Sequence, residues 1–389
     1  MSGNDDRHFK TREVRAGVRP DPVTGAILTP IYQTTTYVQE SVDKYLEKGY
    51  SYSRSGNPTV SALEAKITAL EGGVGSLCFA TGMAATSCTI MGLVGSGDHA
   101  ILSDVVYGGT HRLSTKVLNR WGLECSFVDT SDPENIKRAI QENTKLIFTE
   151  TPANPTLKLT DIAAVSEVSQ AAGIPHVVDN TFLTPFYQRP LELGADISLH
   201  STTKFMEGHN VSVGGSITAA SQDHLDQIMF VRNCLGSNMT PMVAFYTLQG
   251  VKTMSTRLEA QSANALKVAR FLETHPNVDR VCYPGLDSFP QKELADRQAS
   301  GHGSMLWFEV HGGVESGKKL MDTLQLWSLA ENLGSVESLV THSVTMTHAD
   351  MPVEERLAAG ITDGLVRLSA GLESAEDLIA DLRQALDVL

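Results

Sequence analysis

The chain has 389 residues, of which 41% are hydrophobic, and a formal net charge of −14 from 31 Lys and Arg against 45 Asp and Glu. That length allows two domains and a large core, and the acidic balance argues against a nucleic-acid footprint. No run of ~20 apolar residues is present, which argues against a membrane span. The polar start Met-Ser-Gly-Asn-Asp-Asp-Arg carries no signal-peptide core. Five scattered cysteines (Cys78, Cys88, Cys125, Cys234, Cys282) form no Cys-x-x-Cys pair, so a reducing, cytoplasmic setting is expected. The histidines show no His-Glu-x-x-His spacing, and no metal site is expected.

Residues 1–50 read as mostly irregular. Asn57 followed by Pro58 marks a helix start. From about residue 58 to about 250, apolar runs alternate with helical stretches. Strands are predicted near Leu77, Ile101, Phe127, Ile147, Val177, Ile197 and Ile217. Between the first two, Ala80-Thr-Gly-Met opens a helix running through Val94. Ile162, Val165 and Val168 recur at threes and predict a helix over Asp161–Ala172. Such alternation implies an α/β fold with a mostly parallel sheet and helices on both faces. A long helix near 253–274 leads into a smaller C-terminal α+β domain, where Ser304–Val310 and Leu365–Ala370 read as strands. Ser374-Ala-Glu-Asp377 caps the last helix, with Leu378, Leu382 and Leu386 on one face. The expected organisation is an arm over 1–57, a large domain over 58–252 and a small domain over 253–389.

The chemistry concentrates at a few points. Lys204 stands in His-Ser-Thr-Thr-Lys-Phe (200–205), 25 residues after Asp179. A lysine among hydroxyls, following an aspartate at the end of an apolar run, suits pyridoxal 5′-phosphate (PLP). The amine bonds to the aldehyde, the aspartate pairs with the pyridinium nitrogen, and Ser201 and Thr203 can hold the phosphate. Alone, Lys204 is more simply a solvated loop lysine. Five further pieces change that balance. Gly82 opens a helix whose N-terminus can receive an anion, although any strand-to-helix turn can carry a glycine. Tyr52 and Arg54 are phosphate ligands in type, or an ordinary loop ahead of a helix. Tyr107 can stack on a ring or simply pack. Asn154 can donate to a phenolic oxygen or serve its Asn-Pro turn. Arg367 lies in an apolar strand, where an unpaired charge is costly, and suits a carboxylate or a structural ion pair.

These residues also carry a resemblance to the Cys/Met-metabolism branch of fold-type I PLP-dependent enzymes. The matching runs are Tyr-Ser-Arg-Ser-Gly-Asn-Pro-Thr (52–59), Tyr-Gly-Gly-Thr (107–110), Glu-Thr-Pro-Ala-Asn-Pro-Thr (150–156), Val-Asp-Asn-Thr-Phe (178–182) and His-Ser-Thr-Thr-Lys-Phe-Met-Glu-Gly-His (200–209). Leu-Gly-Ser-Val-Glu-Ser-Leu (333–339), Met-Thr-His-Ala (346–349) and Leu-Val-Arg-Leu-Ser-Ala-Gly-Leu-Glu (365–373) complete the set. The resemblance implies a seven-stranded sheet in the large domain and γ-elimination or γ-replacement on sulfur amino acids. It implies Lys204, Tyr107 and Asp179 in catalysis. Tyr52, Arg54, Gly82, Met83, Asn154, Thr181, Ser201 and Thr203 join these three in holding PLP. Arg367, Asn332, Glu337 and Tyr52 are implied at the substrate, Glu337 near a distal ammonium. It further implies a homotetramer in which Tyr52 and Arg54 reach a neighbouring subunit's phosphate. Gly109 stands where methionine γ-lyases usually carry cysteine, which favours the cystathionine γ-lyases and γ-synthases. Two departures mark this chain: Asn332 replaces a frequent serine, and Gly-His-Asn (208–210) replaces Gly-His-Ser. A catalytically silent scaffold with a PLP fold is the alternative, and the intact Lys204, Asp179, Tyr107 and Arg367 argue against it.

Overall fold

The computed structural model describes residues 7–347, 349 and 353–389. Residues 1–6 of the expected arm and His348 of the Met-Thr-His-Ala run lie outside the described residues. Two sheets organise the chain. The first holds β1 (Gly75–Phe79), β2 (His99–Ser103), β3 (Glu124–Val128), β4 (Thr144–Glu150), β5 (His176–Asp179), β6 (Ile197–His200) and β7 (Gly215–Ala219). Their spatial order is β1-β7-β6-β5-β4-β2-β3. Every pair from β6 to β3 is parallel, while β7 runs antiparallel to both β1 and β6. The expected mostly parallel seven-stranded sheet is therefore present.

Central strands of such a sheet are covered on both faces, so they read as continuous apolar runs. One face buries Leu77, Phe79, Leu102, Phe148, Val177, Leu199 and Ile217 against Ala85, Cys88 and Ile90 of the helix Gly82–Leu93. Ile101 and Ile147 pack the other way, with Val165 of the helix Ile162–Ala172. Helix starts follow the sequence signals. Asn57 Oδ1 accepts from Thr59 N at 3.0 Å, Thr81 Oγ1 from Ala84 N at 2.8 Å, and Asp161 Oδ1 from Ala164 N at 3.2 Å.

The second sheet holds β8 (Val278–Cys282), β9 (Met305–Val310), β10 (Ser328–Leu329), β11 (Leu339–His342) and β12 (Leu365–Ser369) in the order β10-β11-β12-β9-β8. Leu306, Phe308, Val366 and Leu368 bury one face against Leu378, Leu382 and Leu386 of the helix Ala375–Leu386. The helix Met254–Leu272 precedes this sheet and contributes Ala265, Val268 and Leu272 to the same cluster. One element of the expected irregular arm is helical: Phe9–Arg15. Its seven residues have little helical patterning, and tertiary contacts hold it. Phe9 meets Phe186 with ring centroids 5.3 Å apart, and Glu13 accepts from Ser255 N at 2.6 Å. Among the described residues, no helix is long and apolar enough to cross a membrane.

The antiparallel β1–β7 edge brings β7 close to the turn before the helix Gly82–Leu93. A Cβ on Gly215 would lie 2.3 Å from Thr81 O and 2.8 Å from Gly82 Cα. Gly215→Ala is therefore expected to lower stability by about 1–3 kcal/mol through overpacking. The measurement is urea unfolding, with a reduced midpoint at unchanged m-value; an unchanged midpoint would mean that the turn yields freely.

Candidate active site

A cavity of about 480 Å³ opens where the carboxyl ends of β4, β5 and β6 meet the edge of the second sheet. Open parallel sheets place ligands at this end because the connecting loops diverge there. Glu150 ends β4, Asp179 ends β5, and Ser201 follows β6. Lys204, Thr203, Thr181, Tyr107, Asn154, Gly82 and Met83 line the same space, with Asn332 and Arg367 entering from the second sheet's side. Most of the expected site residues are thus brought together within one chain.

At one end, the helix Gly82–Leu93 points its N-terminus into the cavity, offering unpaired N–H groups and the positive end of its dipole. A Cβ on Gly82 would lie 2.9 Å from both Cβ and Oγ of Ser201, so glycine keeps this cradle open. Ser201 and Thr203 add hydroxyls, and Thr203 Oγ1 is set by a 3.0 Å hydrogen bond from Gly214 N. This end fits a phosphate.

Deeper in, Asp179 Oδ1 accepts from Thr181 N at 3.0 Å and Thr181 Oγ1 at 2.6 Å. Burial pushes its carboxyl up; the two Thr181 hydrogen bonds and nearby His200 favour the charged form. Glu150 lies beside it. Burial first, and then the Asp179 charge, push the Glu150 carboxyl up. Glu150 Oε2 accepts from Tyr107 N at 2.7 Å and Oε1 from Asn154 N at 3.0 Å, so one buried side chain sets two cavity residues. The fixed carboxylate, the lysine amine, the aromatic ring and the anion cradle together fit PLP.

Burial, with the Arg367 charge adding to it, brings the Lys204 ammonium down to about 8. Lys204 Nζ donates to Asn332 Oδ1. Arg367 sits in the middle of β12, buried, and burial lowers its guanidinium to about 10, so it stays charged at neutral pH. It donates to Asn154 Oδ1 at 2.8 Å, Thr341 Oγ1 at 3.0 Å and Asn332 O at 3.2 Å.

Three expected residues lie elsewhere in the chain. Tyr52 and Arg54 do not line the cavity. Arg54 Nη1 donates to Asn233 O at 2.9 Å and Asn233 Oδ1 at 2.8 Å, and its guanidinium stands 5.4 Å from the Tyr52 ring centroid. Glu337 is exposed and also outside the lining; it accepts from Asn210 Nδ2 at 2.8 Å. Besides Asp179 and Glu150, the cavity is lined by the acidic Glu331 and the basic Arg112. Neither was expected from sequence. Glu331 adjoins Asn332 and Glu150 opens the Glu-Thr-Pro-Ala-Asn-Pro run, so proximity to chosen residues was the available signal. Arg112 had none.

Comparison with known proteins agrees with this site. The family of Cys/Met metabolism PLP-dependent enzymes matches residues 10–387. Cystathionine γ-lyase of Bacillus subtilis (strain 168) is 47% identical over 97% of this chain and 99% of its own. L-methionine γ-lyase of Treponema denticola is 44% identical over 98% of this chain and 97% of its own. Cystathionine β-lyase of Coxiella burnetii is 44% identical over 99% of this chain and all of its own. The crystal structure of metB from Corynebacterium glutamicum superposes with a TM-score of 0.94, at 42% identity over 99% of each chain. The chain belongs to the Cys/Met-metabolism family of PLP-dependent enzymes and, within it, to the lyases of trans-sulfuration.

Proposed function

We propose that the protein is a cystathionine γ-lyase, which splits cystathionine with water into cysteine, 2-oxobutanoate and ammonia. The observation that carries this reading is a second set of charges in the cavity. Arg367 suits the α-carboxylate at the reacting end of the substrate. Glu331 and Arg112 line the same space, and a substrate carrying a second ammonium and a second carboxylate would give them partners. Methionine ends in an apolar thioether and would leave those charges without partners. Position 109 adds support. A Cβ there would lie 2.6 Å from the Tyr107 ring and 2.7 Å from Met83 Sδ, so a cysteine at 109 would displace both.

In this reading Asp179, fixed by Thr181, would pair with the cofactor's ring nitrogen, and Tyr107 would be the aromatic partner of the ring. Asn154 gives its oxygen to Arg367, which leaves its amide N–H as the group that would serve the cofactor's phenolic oxygen. Gly82 and Met83 backbone N–H groups, Ser201 and Thr203 would hold the phosphate. Bound PLP supplies an electron sink for the charge left when a bond to hydrogen breaks. Lys204 is the amine that anchors the cofactor and, once free, the base for the α-proton and then the β-proton. Its depressed pKa, about 8, leaves a useful neutral fraction near pH 7. Arg367, held on three acceptors, orients the substrate so that the scissile bonds face Lys204.

The reading extends to a cytoplasmic homotetramer with sites shared between subunits. Tyr52 and Arg54 turn away from their own cavity, which is what donation to a neighbour requires.

Purified protein offered cystathionine should release 2-oxobutanoate and cysteine. Pyruvate and homocysteine as main products would establish β-cleavage instead, and preference for methionine or for O-acyl-homoserine plus cysteine would overturn the assignment. Glu331→Ala should raise KM for cystathionine at least ~10-fold, the effect of one lost charge-assisted contact, and leave methionine turnover within about twofold. Equal effects on both substrates would remove Glu331 from recognition of the far end.

Lys204→Ala should abolish turnover and the borohydride-reducible protein–PLP adduct. An adduct at wild-type level would place the anchor on another lysine.

Arg54→Ala and Lys204→Ala, each inactive alone, should complement when co-refolded. In a mixed dimer one site carries both lesions and the other neither, so random pairing restores up to about a quarter of wild-type activity. No recovery despite verified heterodimers would mean that Arg54 acts within its own chain.

A further inference from the structure

Asn210 and Asn332, far apart in the chain, touch each other at the rim of the cavity. Asn332 Nδ2 donates to Asn210 Oδ1 at 2.5 Å, and Asn210 Nδ2 donates to Glu337 Oε2 at 2.8 Å. At the other end, Asn332 Oδ1 accepts from Lys204 Nζ. Four side chains thus form one line from an exposed carboxylate to the cavity amine.

That line has a direction fixed at its far end. An ionised carboxylate can only accept. Asn210 must therefore turn its NH₂ to Glu337 and its oxygen to Asn332. Asn332 must then turn its own NH₂ to Asn210, which leaves its oxygen, and not its NH₂, facing Lys204. An amide alone has no such preference, because its two ends are close to the same size and shape. The backbone is built to hold the line. Asn210 has φ +57°, a left-handed conformation that asparagine tolerates better than most residues. Buried Glu207 pins its flanks, accepting from His209 N and Val211 N at 3.1 Å each. Val336 N donates to Gly208 O at 2.9 Å, tying the turn that carries Asn210 to the segment that carries Glu337.

We propose that Glu337 and Asn210 are positioning residues that act through Asn332, setting its amide so that an oxygen acceptor faces Lys204 and favours the ammonium form of that lysine. A neighbouring acceptor stabilises the protonated amine, and a neighbouring NH₂ would favour the neutral one. The other charged and titratable groups on the same cavity are Asp179, Glu150, Tyr107, Arg367, Glu331 and Arg112. Burial and Arg367 lower the amine, and the Asn332 oxygen works against them. The inference rests on Lys204 being the reactive amine of the proposed reading. It does not rest on the substrate, since its test reads the lysine itself.

The full-length chain, freed of PLP by hydroxylamine followed by dialysis, is trace-labelled with acetic anhydride across roughly pH 6–10, and Lys204 occupancy is followed by mass spectrometry. Asn210→Gly removes the middle link without changing charge and without strain at positive φ. It should lower the Lys204 labelling midpoint by about one unit, giving about tenfold more label at neutral pH. Glu337→Met should shift it in the same direction. In an Asn332→Ser background neither change should move the midpoint by more than ~0.2 units, because the link is already cut. An unmoved midpoint in Asn210→Gly overturns the proposal. So does a Glu337→Met shift of equal size in the Asn332→Ser background, which would show a through-space charge effect. Near-ultraviolet circular dichroism confirms folding. Glu337 is exposed, so its variant keeps the fold and decides the matter if Asn210→Gly does not.

Discussion

Arg367 sets the constraint on which the site depends. A guanidinium in the middle of a buried strand must find acceptors, because leaving it unpaired in the interior would cost several kcal/mol. Its own sheet supplies one, Thr341 on the neighbouring strand β11. The others come from outside that sheet: Asn154 from the loop after β4, and the backbone carbonyl of Asn332. One side chain thereby ties the central strand of the second sheet to the loops at the carboxyl ends of the first. It also uses the Asn154 oxygen, so that asparagine has only N–H left to offer the cavity.

Around this clamp the ionisable groups are layered by burial. Glu150 is buried beside Asp179, whose charge disfavours ionisation of Glu150. Backbone N–H groups resolve the conflict. Two reach the Glu150 carboxylate and one reaches Asp179, with the Thr181 hydroxyl adding a second bond there. A cationic ring nitrogen against Asp179 would relieve the remaining repulsion, which gives the site electrostatic complementarity to a pyridinium. Lys204 lies nearer the mouth. There, burial and Arg367 depress its pKa, and the Asn332 oxygen restrains the fall. The amine is thereby poised between a stable cation and a usable base.

The parts of this arrangement that were legible in sequence are those fixed by local chain geometry. Asp179 and Ser201 end apolar runs, Gly82 opens a capped helix, and Lys204 follows its hydroxyls. Each feature is a property of a few consecutive residues, and each falls at a strand end once the sheet forms. The Asn57, Thr81 and Ser374 caps are local in the same way. What stayed hidden depends on partners distant in the chain. β8 reads Val-Asp-Arg-Val-Cys, whose charges mask its pairing with β9, and β11 is four buried residues defined by β12. The helix Phe9–Arg15 exists because Glu13 meets Ser255, 242 residues away. Glu331 and Glu337 are both exposed acids on one loop, and nothing in their local sequence tells which lines the cavity. The Asn210–Asn332 contact spans 122 residues. Two separate departures from a pattern look like two losses until the fold reveals them as one pair.

Selectivity in such a site then follows as much from missing atoms as from charges. Gly109 follows Tyr107 by two residues at the start of a short helix, where an added Cβ would push on the aromatic ring and on Met83. Tyr107 cannot retreat freely, because its backbone N–H is fixed on Glu150, and Glu150 is fixed in turn by Asn154. Any bulk at 109 would therefore be transmitted to the ring, and from there to the cavity that the ring lines. In the proposed reading, glycine at 109 and the charged Glu331 and Arg112 are consistent with each other: one leaves the ring where it stands, and the others would reward a substrate polar at both ends.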